Sequence, residues 1–208
     1  FKDIERVKNE FIATASHDLK NPITAIVGFS GLLSQAGPLN DMQIGFMHRI
    51  QDAASSMSEL VQSMMQLAQS DLNAVQNFEP VEVTALLADV VDEFNPQAEA
   101  KEQALQFHPL DIPVYVNSDR LQLKQLFRNL VGNAIKYTQQ DGQIIVSMSM
   151  NMENIQVDVQ DNGFGIPAAD LPFIFDRFYR VHDSIHNEAE GNGLGLAIVK
   201  AIVEQHGG

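Results

Sequence analysis

From residue 47 onward the apolar side chains keep a rhythm: Met47, Ile50, Ala54, Met57, Val61, Met64 and Ala68 step by 3, 4, 3, 4, 3 and 4. On a helix that spacing makes one continuous stripe, whereas a strand would scatter the same residues over both faces. Gly45 is an isolated cost that breaks nothing. Upstream, Ile4, Val7, Phe11, Thr14, Ala15, Leu19, Ile23 and Ile26 repeat the 3–4 spacing, and Ala36-Gly-Pro-Leu-Asn40 supplies breakers between the two runs. Two helices of about 30 residues, each about 45 Å long, are therefore expected. A lone hairpin cannot enclose its own stripes. Two hairpins paired into a four-helix bundle would bury them, so residues 1–74 predict a helical hairpin that forms a homodimer. Heptads alone would equally suit an inert coiled-coil spacer.

The pattern changes near residues 73–79, and residues 75–208 read as a second domain. Phe78-Glu-Pro-Val-Glu-Val is a short strand, and Thr84 is an expected N-cap for an amphipathic helix through Leu86, Leu87, Val90, Val91 and Phe94. Leu105-Gln-Phe and Val114-Tyr-Val are further strands, and Asp119 caps a helix running to about Tyr137. Ile144-Ile-Val-Ser-Met-Ser-Met and Ile155-Gln-Val-Asp-Val alternate as antiparallel strands do. A last helix is expected from Ala197 to about Gln205. Helices with an antiparallel sheet make this an α+β sandwich.

Composition narrows the function classes. The net charge of −14 argues against nucleic acid, whose binding depends on cationic neutralisation of phosphates. A smaller anionic ligand needs only a few local cations, and Lys136, Arg177 and Arg180 are placed for that. With no cysteine there is no disulfide framework and no thiolate metal site, which fits a reducing, cytoplasmic compartment. No apolar run approaches the roughly 18–20 residues that span a bilayer, so no membrane contact is expected of these residues themselves. The opening Phe1-Lys-Asp-Ile-Glu-Arg is charged and lacks an initiator methionine, which suggests a fragment whose sensor or membrane segment lies upstream.

Chemistry concentrates in a few blocks. Phe11-Ile-Ala-Thr-Ala-Ser16-His17-Asp18-Leu-Lys-Asn21-Pro22 puts a histidine on a predicted helix. A neutral imidazole presents a nitrogen lone pair to an electrophile such as phosphorus. Asn21, four residues on, shares the face of His17 and can hold a water in line, while Pro22 removes a helical amide and bends the helix or starts a new one. The other five histidines, His48, His108, His182, His186 and His206, lack such company and read as structural or surface residues. Further along, Asn129 and Asn133 face one way on their helix. Asp161-Asn-Gly163-Phe-Gly165-Ile166-Pro167 offers a carboxylate that can accept from an adenine amino group, beside glycines that admit close backbone approach. Gly191-Asn-Gly193-Leu194-Gly195-Leu196 opens a helix whose amides form an anion site.

Together these blocks resemble the sensor histidine kinases of two-component systems, in that family's order: the phosphoacceptor box at His17, the N box at Asn129–Thr138, the G1 box at Asp161–Pro167 and the G2 box at Gly191–Leu196. Phe175-Asp-Arg177-Phe178-Tyr-Arg180 resembles the F box within a lid over residues 167–190. The resemblance implies a dimerisation and phosphotransfer hairpin followed by a Bergerat-type ATP-binding domain of the GHKL kind, with ATP and Mg2+ as cofactors. It implies that Asp18 orients the imidazole and takes its proton, and that Asn21 serves dephosphorylation of the partner. Asn133 would complete the magnesium shell, Lys136 would meet phosphate, Tyr137 would pack on base or ribose, and an arginine of the F box would reach phosphate. The implied partner is the receiver domain of a response regulator, phosphorylated on an aspartate.

Two other readings share the fold. Gyrase, MutL and chaperone ATPases hydrolyse ATP with a glutamate four residues before the magnesium asparagine, where this chain has Asn129. A non-catalytic dimeric scaffold would keep the hairpin with a degenerate nucleotide domain. The family also continues after His206-Gly-Gly208 with further strands, so an ATP-binding domain cut short at its C-terminus is expected.

Overall fold

The computed structural model describes residues 19–33, 36–70, 78–151, 154–181 and 192–208. The chain divides into two compact units, Phe1–Ala74 and Val75–Gly208.

In the first unit, α1 is described over residues 19–33 and α2 is Asp41–Ser70. Residues 19–21 are already helical and the helix runs on through Pro22, so no helix ends at Asn21. Helix α2 starts on a reciprocal cap that the sequence reading missed. Asn40 Oδ1 accepts from Gln43 N at 2.9 Å, and Asn40 N donates to Gln43 Oε1 at 2.9 Å. Each bond satisfies a donor that the helix itself leaves unpaired, and Asp41 adds a favourable charge in the first turn.

Ile23, Ala54 and Val61 form the buried cluster of this unit. Two other members of the predicted stripe, Ile50 and Met57, stay 45% and 53% exposed, because each helix of a hairpin has only one neighbour. Phe29, Leu32, Leu33 and Phe46 are more than half exposed as well. The side chains of Met64 and Ala68 lie outside the described residues.

The second unit contains β1 (Glu79–Glu82), α3 (Val83–Ala100), β2 (Ala104–His108), β3 (Tyr115–Ser118), α4 (Arg120–Tyr137), β4 (Gln143–Met150), β5 (Ile155–Asp161), a 3-10 turn at Leu171–Phe173, and α5 (Gly195–Gln205). Its strands make two sheets. β1 pairs antiparallel with β3, and the other sheet has the order β2-β4-β5. The β4–β5 pair is antiparallel as expected, with Val146 opposite Val159. The β2–β4 pair is parallel, with Phe107 opposite Val146, so the sheet is mixed and not purely antiparallel. The reason is connectivity: β3 and α4 lie between β2 and β4, and a long crossover returns the chain in the same direction.

Pleating gives one sheet face to the core. Ile144, Val146 and Met148 alternate inward with exposures of 0%, 0% and 7%, beneath Leu86, Leu87 and Val90 of α3, Phe127, Val131 and Ile135 of α4, and Ile198 and Ile202 of α5. Along the α3–α4 seam, Arg120 pairs with Asp89 at 3.3 Å, Lys124 with Glu93 at 3.4 Å, and Arg128 also with Glu93. These half-exposed pairs set register more than they add stability. Thr84 is not the N-cap of α3. The helix starts at Val83 with Glu82 as its N-cap, two residues earlier than a Thr84 cap would place it, and the first helical amide, Val83 N, is satisfied by Val114 O at 2.8 Å. Similarly, α5 begins at Gly195, two residues before the expected Ala197.

His206 closes the far end of α5. Its Nδ1 lies 2.7 Å from Ile202 O, an acceptor, so that nitrogen carries the proton. Its Nε2 lies 2.8 Å from Oγ of the fully buried Ser118, and the ring stacks on Phe78 at 5.0 Å. One side chain thus ties α5 to β3 and to the approach of β1. Among the described residues, no helix is long and apolar enough to cross a membrane. Replacing His206 with Ala is expected to lower unfolding stability by about 1–3 kcal/mol. A shift of the urea midpoint at unchanged m-value checks it.

Candidate functional site

Helix α4 carries the site, and its sequence explains why. Asp119 Oδ1 accepts from Leu121 N at 2.9 Å and from Gln122 N at 3.2 Å, which starts the helix. Leu126, Phe127, Val131, Ala134 and Ile135 are buried, and this helical spacing turns one face to the core. Asn129, Asn133, Lys136 and Tyr137 are left half-buried at the edge of that face.

Asn129 reaches across to α5. Its Nδ2 donates to Gly195 O at 3.3 Å, while its Oδ1 accepts from Gln125 Nε2 at 3.2 Å. The sequence reading missed Gln125, although its place one turn before Asn129 was a usable signal. A Cβ on Gly195 would sit 3.8 Å from both Asn129 Cγ and Asn133 Nδ2, so the N-terminus of α5 abuts both amides. At the end of α4, the Lys136 ammonium lies 4.8 Å over the Tyr137 ring, a cation–π contact that orients the pair.

The Asp161 loop is fastened to that same end. Phe164 N donates to Tyr137 O at 3.1 Å. Any Cβ on Gly163 would lie 2.2 Å from Tyr137 O, so only glycine allows this approach. Asp161 Oδ1 accepts from Gly163 N at 2.9 Å, which fixes the carboxylate's direction. Gly165 has a φ of +70° and open space around it. Asp161, Gly165 and Ile166 border an open depression of about 650 Å3 together with Ser147, Asp158, Gln160 and Leu171.

The glycine loop before α5 uses a similar device. Leu194 N donates to Asn192 Oδ1 at 3.0 Å, an Asx turn that the Asn-Gly pair signals. Gly193 has a φ of +69°, and a Cβ there would meet Phe178 C at 2.7 Å. With Phe178 N donating to Gly193 O at 3.0 Å, the segment holding Arg177 and Arg180 is seated on this loop. Phe178 itself has a φ of 66°, which is unusual for an aromatic residue. Leu194 is fully buried, and Leu196 is half-buried in the first turn of α5.

One further link had no local signal. Tyr179 Oη donates at 2.5 Å to Oδ1 of Asp170, nine positions back in the chain, and its ring lies 5.6 Å from that of Phe173. The hydrogen bond to the Asp170 carboxylate raises the Tyr179 pKa above 10.0, with desolvation and the charges of Asp170 and Asp176 acting the same way.

The structure thus gathers Asn129, Asn133, Gly195 and the Gly193 loop around the start of α5. It gathers Lys136, Tyr137, Asp161 and Gly163 around the end of α4. Asn21 lies in the other unit, on α1, and is exposed. His17, Asp18 and Gly191 lie outside the described residues. Among the described residues no three His, Cys, Asp or Glu side chains group as metal ligands. A magnesium ion fits only if the ligand's own phosphates supply most of the oxygens around the Asn133 amide, which is how this cation is commonly held.

Two family models match the chain. Residues 7–73 match the His Kinase A (phospho-acceptor) domain, and residues 118–208 match the histidine kinase-, DNA gyrase B-, and HSP90-like ATPase domain. The chain is 32% identical to the sensor histidine kinase WalK of Bacillus subtilis, over 99% of this chain and 34% of that protein. It is 32% identical to the circadian input-output histidine kinase CikA of Thermosynechococcus vestitus, over 98% of this chain and 28% of that protein. It therefore spans about a third or less of those relatives. Full-length ShkA, solved in complex with AMPPNP, superposes with a TM-score of 0.76 at 25% identity, covering 95% of this chain and 41% of that one.

The Tyr179–Asp170 bond gives a pH test. A raised folded-state pKa means that the stability it contributes is complete below pH 10 and is lost as pH climbs through the folded value. An ultraviolet titration is expected to show a tyrosine ionisation above pH 10 that disappears in Tyr179→Phe. The variant should also lose less stability than wild type over that range. If the ionisation lost in the variant is one at the ordinary tyrosine value, the bond does not form in solution.

Proposed function

This chain belongs to the sensor histidine kinases of two-component systems, and on that premise we propose that it phosphorylates its own His17 from ATP and passes the phosphoryl group to an aspartate of a response regulator. The observation that carries the proposal is the meeting of three separated sequence blocks at the two ends of one helical face. Asn129 and Asn133 stand beside the N-terminus of α5, and the Asp161 loop is tied to Tyr137.

In this reading the Asp161 carboxylate accepts from the adenine amino group and Tyr137 packs on base or ribose. The amides of Gly193, Gly195 and Leu196 face the phosphates with the positive end of α5, while Leu194, whose own amide is held by Asn192, anchors the loop in the core. Lys136, Arg177 and Arg180 neutralise phosphate charge, with Gly163, Gly165 and Ile166 shaping the loop beneath the base. Asn133 would hold magnesium together with the phosphates, and the ion would offset charge on the transferring group. The imidazole nitrogen of His17 forms a bond to the γ-phosphorus as the bond to the β–γ bridging oxygen breaks. ADP leaves and the imidazole proton passes to Asp18. Positioning and charge stabilisation carry most of such a reaction.

Position 129 holds an amide already bonded to Gly195 O, and an amide is no base. That supports transfer to a side chain over the hydrolysis of the related ATPases. The half-exposed Ile50 and Met57 stripe supports a homodimer through the hairpins, which would give both residues a partner face. Asn21 is proposed to orient water for removal of the regulator's phosphoryl group. We assign the hairpin to residues 1–74 and the ATP-binding domain to residues 75–208.

Incubation with γ-labelled ATP and magnesium tests the proposal. Acid-labile, base-stable label is expected on the wild type and none on His17→Ala, with ATP binding kept in the variant. Label retained by His17→Ala would overturn the assignment. Asp161→Asn is expected to weaken ATP binding by about tenfold or more, since a bond to a charged acceptor is lost. Equilibrium titration of the nucleotide measures this.

A further inference from the structure

Helix α4 ends without the usual glycine. Its C-cap is Thr138, with φ −89° and ψ 138°, so the last carbonyls find no left-handed turn to satisfy them. A side chain from the loop between α3 and β2 does so instead. Gln103 Nε2 lies 3.0 Å from Ile135 O, 2.7 Å from Thr138 O and 3.4 Å from Gln139 O. Lys101 Nζ donates to the same Ile135 O at 3.1 Å. Gln103 is 6% exposed, deep burial for a residue that the sequence presents as one of many polar side chains. Its own backbone is held on both sides: Gln103 N donates to Ala98 O at 2.9 Å, and the next residue, Ala104, donates to Gly142 O at 2.8 Å.

This clamp grips the turn that the candidate base site hangs from. Another carbonyl of the turn, Tyr137 O, accepts from Phe164 N, and a Cβ on Gly163 would lie 2.2 Å from it. Movement of the last turn of α4 therefore moves Tyr137 and the Asp161–Gly165 loop together. The contacts of Asn129 and Asn133 with α5 lie one to two turns back along the helix and depend on it less. We propose that Gln103, assisted by Lys101, is a positioning residue that sets purine-base selectivity, by holding the end of α4 at the height at which the Asp161 carboxylate meets the base. This rests on the nucleotide reading of the site. It adds a determinant outside the N, G1, G2 and F blocks, on the loop between α3 and β2.

The test uses the full 208-residue chain and compares equilibrium binding of ATP and GTP, each with magnesium, in wild type and in Gln103→Met. Methionine keeps the length and volume of the side chain and removes the donor. The expected result is a fall of about three- to tenfold in the preference for ATP over GTP. Affinity for inorganic triphosphate, which has no base, should stay within about twofold. A general loss of packing would weaken all three ligands together and leave the ATP-to-GTP ratio where it was, and that outcome overturns the inference. If Gln103→Met unfolds, as judged by circular dichroism, Lys101→Met on the exposed side of the clamp decides. A reduced ratio there supports the inference and an unchanged ratio overturns it. A wild-type chain that binds triphosphate but shows no base preference would also overturn it, leaving the phosphate half of the site intact. A wild-type chain that binds none of the three would defeat the nucleotide reading itself.

Discussion

The last turn of α4 is the point on which the second unit depends. Two segments far from it in sequence spend their hydrogen bonds there: the α3–β2 loop through Lys101 and Gln103, and the Asp161 loop through Phe164 N to Tyr137 O. Unpaired carbonyls at a helix end are costly when water cannot reach them. The chain meets that cost by recruiting donors from its neighbours and gains a rigid junction in return. Half a helix away, Asn129 donates to Gly195 O and so joins the helix to the start of α5. One helix thus supplies the buried face of a core and a polar edge that places two loops.

The two units solve burial differently. In the sandwich, alternate residues of β4 point at a helical layer, and Ile144 and Val146 disappear from solvent within a single chain. In the hairpin each helix has one neighbour, and the stripe that heptad spacing predicts is buried at Ala54 and Val61 but open at Ile50 and Met57. At roughly 25 cal/mol per Å2 of apolar area, such a face is a substantial unsatisfied driving force. A second hairpin is the simplest partner for it. The chemistry proposed for His17 would then sit on a helix whose packing is completed by another copy.

Much of this was legible in the sequence. Asp119 as a cap, the helix to Tyr137, the alternation of β4 and β5 and the 3–4 stripe are local patterns, readable because a period or a cap needs only neighbours in the chain. The misreadings were of another kind. Thr84 looked like a cap, but Val83 N had a partner 31 residues away in Val114 O. The β2–β4 pairing is parallel because of what lies between the strands, which no strand's own residues record. The Asn40–Gln43 cap, by contrast, lies within four residues and is a pairing that local spacing does carry.

By itself the sequence determined the identity and order of the chemical groups: a histidine with an acid beside it, paired amides on one helix face, a carboxylate before two glycines, and a glycine loop at a helix start. It could do so because motif chemistry is a matter of residue type at short spacing. Only the tertiary structure decided which distant groups hold those motifs in place. Gln103 against the carbonyls of α4, His206 against Ser118, and Gly193 under Phe178 are all such pairings. Each of them satisfies a polar atom, or fits a backbone against a backbone, at a place that exists only once the elements have packed. No window of sequence contains both partners, so no local pattern can announce them.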